Sequence, residues 1–256
     1  MQVITELLES ITADHEVAEL CVGAFFTAVV SRGCGLASTM RGRCCDHDGP
    51  SVRNAGSLLP QGARALAQLA LSGSEMEAAI GMAALNSVLE VDESRLADVN
   101  ASDLLFQRAT GRRVALIGDF PFVPELGRRA LELWTLDLRD PGPDGELERL
   151  MARLPEADVC AITGTTLINH TLPEILDRLR PECFRLMLGP TTPLSPILFD
   201  HGLDVLSGVV VTDPQRVLAC VRQGAGFRQI EGRRLVSMVR GGRGNEPGRG
   251  PDPTEA

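Results

Sequence analysis

ADVCAITGTTLINHTLPEILDRL, residues 157–179, is the stretch that decides the fold. Its first six residues form an apolar run of the kind that makes a buried strand, and from Leu172 onward leucine and isoleucine repeat on one helical face. Thr171 and Glu174 have the spacing of a capping box, which marks a helix start. The stretch therefore predicts a strand, a loop and a helix in succession, which is the repeating unit of a parallel α/β sheet.

The loop inside this stretch is rich in small polar residues. Loops at the carboxyl edge of a parallel sheet can present backbone N–H groups and hydroxyls to a ligand. Each such residue taken alone is explained as well by a tight turn or a helix start. Five in one loop favour a binding role. The candidates are Thr163, Thr165, Thr166, Asn169 and His170.

Two other predicted strands end in a similar way. VALI is followed by GDFP at residues 118–121, and LML is followed by GPTTPLS at residues 189–195. Because the carboxyl ends of neighbouring parallel strands line one crevice, the three loops are expected to converge. Asp119 would supply negative charge for metal coordination, a ribose hydroxyl or proton transfer, or would serve as a turn or helix cap. Thr191 and Thr192 would supply hydroxyls.

Strand and helix patterns alternate throughout the second half of the chain. Strands are expected at residues 114–117, 133–138, 159–162, 184–188 and 204–211. Asp213 and Pro214 open a last helix that Gly224 ends. The first half has a different pattern, with one helix, a hairpin built from residues 22–30 and 36–40, and helices at 63–71 and 75–89. The polar stretch 91–110 has no strong period and is predicted to be a linker.

These patterns predict an α/β protein of two domains. The expected domains are an N-terminal α+β domain at residues 1–105 and a Rossmann-like domain with an open parallel sheet at residues 106–240. Residues 241–256 are rich in glycine, proline and arginine and are expected to be a disordered tail.

Composition narrows the classes of partner. A net charge of −9 argues against nucleic acid and anionic membranes. The longest apolar run is far shorter than a bilayer span, and the first ten residues do not resemble a secretory signal. We therefore expect a cytoplasmic protein that binds a small molecule. Residues 22–30 offer a sheet edge for a homo-oligomer, although burial in the core is the simpler account.

Common phosphate-binding motifs are missing from the sequence. All 25 Lys and Arg residues are arginine, so no phosphate loop with its lysine is present. No Gly-x-Gly-x-x-Gly follows the first strand of the second half, which excludes the ordinary dinucleotide turn.

A cysteine-rich segment raises the question of a metal site. Cys44, Cys45 and His47 lie close together, and thiolate with imidazole suits zinc or a similar metal. There is no Cys-x-x-Cys pair, so scattered reduced cysteines are the alternative account. His170 could be a metal ligand or a general base, or could pack beside a helix start. His201 is expected at a helix C-terminus.

Four motifs in order carry a family resemblance. They are AALNSV at residues 83–88, GDFP at 118–121, ITGTTLIN at 162–169 and LGPTTPL at 188–194. Over nearly all of residues 1–240 the chain resembles the putative heavy-metal-chelation family of prokaryotic proteins. That family couples a domain like the enolase N-terminal domain to a Rossmann-like domain, with its proposed site between them. The enolase barrel is missing, so the resemblance implies no enolase activity.

The resemblance also implies a set of cleft residues. Family members often carry an acid after the second strand, and in this sequence Asp137 and Arg139 compete for that position. The residues expected to face the cleft are Asn86, Gly118, Asp119, Thr163, Gly164, Thr165, Thr166, Asn169, Gly189, Pro190, Thr191 and Thr192.

Three functional hypotheses follow. The first is binding of a small metal-chelating or anionic ligand in the interdomain cleft, with or without a divalent or heavy-metal ion, where Asp119 and His170 handle the metal or protons. The second is an enzyme that uses a nucleotide-type cofactor, with acid–base chemistry from the same two residues. The third is a non-catalytic scaffold.

Overall fold

The computed structural model describes residues 1–40, 51–137 and 146–241. Its N-terminal part combines helices with a small antiparallel sheet. Its elements are α1 Gln2–Glu9, β1 Glu19–Val22, β2 Phe26–Val30, β3 Cys34–Ser38, α2 Ala63–Ala67 and α3 Glu75–Val88. The sheet order is β1-β2-β3, and both pairs are antiparallel. The predicted hairpin is confirmed by β2 and β3. The prediction of one continuous strand over residues 22–30 is wrong, because the Gly23 N–H donates to the Phe26 carbonyl and closes a turn between β1 and β2.

The central helix α3 begins as the sequence predicts. Ser74 is its N-cap, and the Ser74 side chain accepts a hydrogen bond from the Glu77 N–H. The Glu77 side chain does not complete a capping box. The Glu77 residue is 1 % exposed, and its carboxylate binds the Arg53 guanidinium, with Nη2 and Oε2 2.9 Å apart, and the Ser72 hydroxyl at 2.6 Å. The hydrogen bonds from Arg53 lower the pKa of Glu77 to about 2.

Glu77 is expected to make the protein sensitive to acid. Its folded-state pKa of about 2 lies below the ordinary 4.5, so its stabilising contribution is complete above about pH 4.5 and is lost as the pH falls towards 2. The contribution is at most about 3 kcal/mol. Urea unfolding at pH 5 and pH 3 should show a smaller loss of unfolding free energy for Glu77→Gln than for the wild type. Glu75→Gln, in the same helical turn, is the control and should retain the wild-type acid dependence; an unchanged loss in Glu77→Gln would contradict the assignment.

The C-terminal part is a mixed sheet flanked by helices. Its strands are β4 Leu96–Ala97, β5 Arg113–Ile117, β6 Glu132–Leu136, β7 Val159–Thr163, β8 Phe184–Leu188, β9 Val205–Val211 and β10 Arg233–Val239. Its helices are α4 Ala101–Ala109, α5 Val123–Arg129, α6 Glu146–Arg153, α7 Leu172–Arg178, α8 Ile197–Asp200 and α9 Pro214–Arg222. Asp213 caps α9 as predicted, and its side chain accepts from the Arg216 N–H.

The seven described strands of this sheet have the order β4-β10-β9-β8-β7-β5-β6. Strands β5 to β9 are parallel, which confirms the Rossmann-like prediction for them. Strands β10 and β4 are antiparallel additions at one edge. The prediction of a linker at 91–110 is wrong, because β4 pairs with β10 and α4 packs against β7 and β8.

The two parts pack against each other over an apolar interface. Phe26, Ala28 and Leu36 of the small sheet belong to one buried cluster with Val217, Leu218 and Val221 of α9. Polar contacts border this interface, among them an Arg222–Glu19 ion pair. His201 lies at the C-cap of α8, as predicted, and its Nε2 is 2.6 Å from Glu6 Oε2 on α1. That hydrogen bond lowers the pKa of Glu6.

Some predictions fall on segments that are not described. Cys44, Cys45 and His47 lie outside the described residues, as does Arg139. The same holds for the predicted tail at 241–256, except for Gly241. Among the described residues, no helix combines the length and the apolar character that crossing a bilayer requires.

Candidate functional site

A cavity of about 710 Å³ opens at the carboxyl edge of the parallel strands. Numbered along the chain, the five parallel strands have the sheet order 2-1-3-4-5, so the order reverses between β5 and β7. In open α/β sheets, ligands bind in the crevice outside the strand ends at such a switch point. The cavity is lined by Gly118 and Asp119 after β5, by Thr163 and Thr165 at the end of β7, and by Leu188, Gly189 and Pro190 at the end of β8. The predicted convergence of the three strand ends is confirmed.

Two glycines shape these strand ends. Gly118 has a φ of 120° and Gly189 has a φ of 114°, a backbone conformation that other residues rarely adopt. A Cβ on Gly118 would also lie 2.8 Å from the Thr163 Cβ. Glycine therefore lets β5 end close against β7, and it keeps the cavity floor free of side chains there.

The threonine loop divides into lining and supporting residues. Thr163 is the cap of the short 3₁₀ turn Gly164–Leu167, and its Oγ1 accepts hydrogen bonds from the Thr165 N–H at 3.3 Å and the Thr165 hydroxyl at 3.1 Å. The Thr166 hydroxyl is fully buried and donates to the Thr163 carbonyl at 2.8 Å. Gly164 packs against Thr192, where a Cβ would lie 2.7 Å from the Thr192 nitrogen. Of the loop threonines, only Thr163 and Thr165 line the cavity.

The end of this loop turns away from the cavity. The Asn169 side chain accepts hydrogen bonds from the Thr171 N–H and hydroxyl. Thr171 makes no side-chain cap for α7, because its backbone is helical (φ −87°, ψ −13°) and not extended as at an N-cap, so the predicted capping box is wrong. His170 has a φ of 59°, and its Nε2 lies 2.9 Å from the Ala70 carbonyl oxygen. His170 borders a separate small cavity beside Val3, so the structure does not bring it together with Asp119.

Three residues expected to face the cleft lie instead at the seam between the two parts. Asn86 Nδ2 donates to the carbonyl oxygens of Leu36 at 3.0 Å and Thr191 at 3.1 Å. Thr191 is buried, and its Oγ1 accepts from the Ser38 N–H at 2.9 Å. Thr192 is also buried, and its Oγ1 has no hydrogen-bond partner among the described residues. Asn86, Thr191 and Thr192 support the cavity wall and do not line it, which corrects the expectation drawn from the resemblance.

The acidic lining of the cavity comes from two aspartates. Asp119 is exposed in the turn after β5, and Asp137 is half-buried directly after β6. Asp137, one of the two candidates for the position after the second strand, therefore lines the cavity; the other, Arg139, lies outside the described residues. Ser38 and Phe26 of the N-terminal part complete a wall of the same cavity.

Aromatic and cationic groups that the sequence reasoning missed line the rest of the cavity. Phe120 and Phe122 stack with their ring centroids 5.1 Å apart. Phe227, Arg228 and Arg233 line it from the β10 side. The alternation RRLVSMV at 233–239 could have indicated strand β10, but no local pattern shows that its first residue reaches the strand ends.

The described cysteines do not favour a thiolate metal site. Cys160 and Cys183 are buried, and burial raises the pKa of the Cys183 thiol to about 11. Burial likewise raises the pKa of Cys34 to about 12. Protonated thiols are poor metal ligands. Within residues 1–40, 51–137 and 146–241, no three histidine, cysteine or acidic side chains form a group that could hold a metal ion.

Solved structures of similar proteins share this fold. The chain is similar to a protein of unknown function from the DUF364 family of Desulfitobacterium hafniense, with a TM-score of 0.77 and 25% identity, over 93% of this chain and 98% of that chain. A DUF364 protein of unknown function from Pyrococcus horikoshii matches with a TM-score of 0.73 and 21% identity over the same shares.

Sequence comparisons give the family. An uncharacterised protein of Methanocaldococcus jannaschii is 28% identical over 151 residues, which are 56% of this chain and 58% of that protein, so the chain spans less than two thirds of this relative. The DUF4213 model matches residues 4–89, and the DUF364 model matches residues 100–240. Both models carry the description "Putative heavy-metal chelation". The chain belongs to the DUF364 family.

Proposed function

We propose that the protein binds a small organic ligand, anionic or metal-chelating, in the cavity at the carboxyl edge of the parallel sheet. One observation carries this proposal: the cavity of about 710 Å³ coincides with the switch point between β5 and β7. Its size is that of a small-molecule site, and the switch point is where open α/β sheets bind their ligands. The family description supports a link to metal chelation.

The lining suggests how such a ligand is held. Thr163 and Thr165 offer hydroxyls, and Asp119 and Asp137 offer carboxylates that accept hydrogen bonds or approach a cation. Phe120 gives the ligand an apolar surface to pack against. A compound with a flat apolar body and several polar groups fits this combination.

A metal ion would be the cargo of the ligand. The described residues form no group of three metal-binding side chains, so they do not fit a resident metal ion. A chelator that supplies most of the donor atoms itself needs only one or two carboxylates from the protein. The alternative site at Cys44, Cys45 and His47 lies outside the described residues and stays a prediction.

Removing the negative charge of Asp119 is expected to release the ligand. The protein is purified without an affinity tag and examined by native mass spectrometry and elemental analysis, as wild type, Asp119→Asn and Asp177→Asn. We expect a near-stoichiometric ligand, with or without metal, in the wild type. Ligand occupancy in Asp119→Asn should be lower by about tenfold or more, since a charge-assisted hydrogen bond contributes about 1.5–3 kcal/mol. Asp177 is exposed on α7 away from the cavity, so its variant should match the wild type.

Other outcomes would redirect or refute the proposal. Metal retained in Asp119→Asn but lost when Cys44 and Cys45 are replaced by serine would place the metal in that segment. A wild type that purifies empty and binds neither zinc citrate nor nickel citrate would contradict the proposal.

The strand order favours one second candidate function. The order 2-1-3-4-5 is that of flavodoxin-like folds, and flavodoxin binds the nucleotide-type cofactor FMN at the same switch point. A nucleotide-type compound in the native mass spectrum of the wild type would favour this enzymatic alternative over chelation.

A further inference from the structure

Two arginines stand at the end of the cavity that is farthest from the aspartates along the sheet. Arg233 is the first residue of β10, and Arg228 belongs to the short 3₁₀ segment Phe227–Gln229. The Arg233 guanidinium carbon lies 4.2 Å from the centroid of the Phe227 ring, and Nη2 donates to the Phe227 carbonyl at 2.6 Å. The aromatic ring and the carbonyl therefore hold the guanidinium in place at the cavity wall.

The charge of Arg233 has no counter-ion among the described residues. Three nearby arginines have carboxylate partners: Arg234 pairs with Glu93 and Asp98, Arg216 with Glu231, and Arg240 with Asp204. Arg233 has neither a described carboxylate partner nor an acceptor for its buried Nε. Burial lowers the pKa of this guanidinium. A half-buried cation without a partner is costly, and such groups mark functional sites.

The position of Arg233 in the sheet indicates how long a ligand must be to contact both Arg233 and Asp119. In the sheet, β10 and β5 are separated by four strand intervals, because β9, β8 and β7 lie between them. At about 4.8 Å per interval, the two strands are about 19 Å apart. The N-terminus of β10 lies beside the carboxyl end of β9, since Arg233 pairs with Val211. Arg233 and Asp119 therefore stand at the same edge of the sheet, at opposite ends of one elongated cavity.

We propose that Arg233, assisted by Arg228, is an oxyanion-binding subsite, and that the ligand is an elongated molecule with a carboxylate or phosphate at the end remote from Asp119. A guanidinium fork matches both groups in shape and charge. This inference rests on the proposed function and adds the orientation of the ligand. The anionic end of the ligand lies beside the start of β10, and its chelating or hydrogen-bonding end lies near the ends of β5 and β6.

Isothermal titration calorimetry at low ionic strength tests the subsite, with inorganic phosphate and glutarate as separate probes. The wild type should bind at least one probe saturably, and the preferred probe tells phosphate from carboxylate. Arg233→Met should weaken that binding at least tenfold, and Arg228→Ala should weaken it by a smaller factor. Arg234→Met is the matched control, because Arg234 is the next residue on the strand and its side chain points to the opposite face. Its affinity should equal that of the wild type.

A purely structural role for Arg233 predicts a different result. Methionine keeps the apolar contact with Phe227 but cannot donate to the Phe227 carbonyl, so a structural role predicts a lower melting temperature and unchanged probe binding in the folded variant. The oxyanion subsite predicts weaker probe binding in a variant that is still folded. If Arg233→Met fails to fold, Arg233→Lys replaces it, since lysine keeps the charge but loses the fork, and weaker binding is again expected. Wild-type affinity in the folded Arg233 variant, or no binding of either probe to the wild type, would overturn the inference.

The two proposals can fail separately. If neither probe binds while a ligand still copurifies and is lost in Asp119→Asn, only the oxyanion subsite is refuted. If phosphate or glutarate binds through Arg233 while Asp119→Asn changes nothing that copurifies, only the proposed function is refuted.

Discussion

Replacing Gly35 with alanine is expected to destabilise the protein by about 3 kcal/mol or more, the upper end of the range for overpacking. Gly35 lies on β3 where the strand crosses α3. A Cβ at this position would lie 2.1 Å from the Ala83 carbonyl oxygen and 2.4 Å from the Ser87 nitrogen. Both atoms belong to the backbone of a helix, so neither can rotate away. The strand and the helix would have to separate.

The measurement is thermal and urea unfolding of Gly35→Ala beside Gly73→Ala. Gly73 is exposed and an added Cβ would meet nothing within 4 Å, so its variant should unfold like the wild type or slightly later. For a chain of this size, 3 kcal/mol corresponds to a melting temperature lower by about 6–12 °C. A Gly35→Ala protein that melts with the wild type would show that β3 and α3 are not in direct contact.

The convergence of the three strand ends could be predicted because it depends on local patterns and a general rule. Apolar runs followed by Gly118-Asp119, Thr163-Gly164 and Gly189-Pro190 gave the strands and their loops. Parallel strands connected by helices then place all carboxyl ends at one edge. Nothing in that argument requires knowledge of long-range pairing.

The edge of the sheet could not be predicted in the same way. Strand β4 has two residues and exists because it pairs with β10, more than a hundred residues later in the chain. No window of sequence carries that information. The same limit explains why Arg233 was missed, since it reaches the cavity only through the antiparallel pairing of β10 with β9.

The roles of individual polar residues within the motifs could not be predicted from the sequence either. Thr165 and Thr166 are adjacent and chemically identical, yet Thr165 lines the cavity and Thr166 is fully buried against the Thr163 carbonyl. His170 points back to Ala70 because its backbone adopts a positive φ. The direction in which each side chain points decides its role, and a sequence motif alone does not specify that direction.

Asn86 gives the second large expected effect. Its Nδ2 joins the carbonyl oxygens of Leu36 and Thr191 and so ties the two parts of the chain together. Asn86→Ala leaves both acceptors without their donor, and each buried unsatisfied group costs about 1–3 kcal/mol. The Asn86 Oδ1 is buried without a partner among the described residues, so its removal offsets part of this cost. We expect the unfolding free energy to fall by about 1–3 kcal/mol. Ser102→Ala, which removes an exposed hydrogen bond to Asn100, is the control and should change it little.

Asn86→Asp separates the loss of the donor from the loss of volume, because aspartate has nearly the same shape. An ionised carboxylate facing two carbonyl oxygens is repelled, so the folded-state pKa of Asp at this position should rise above the ordinary value of about 3.9. The folded protein then binds a proton more tightly than the unfolded chain, and the stability of the variant relative to wild type should fall as the pH rises through that raised pKa. The protonated acid can donate one of the two hydrogen bonds, so part of the wild-type stability should return at low pH. Urea unfolding between pH 4 and pH 8, always as the difference from the wild type, measures this. A difference that does not change with pH would mean that the amide donor does not hold the seam, and that the seam depends on the apolar contacts between α9 and the small sheet.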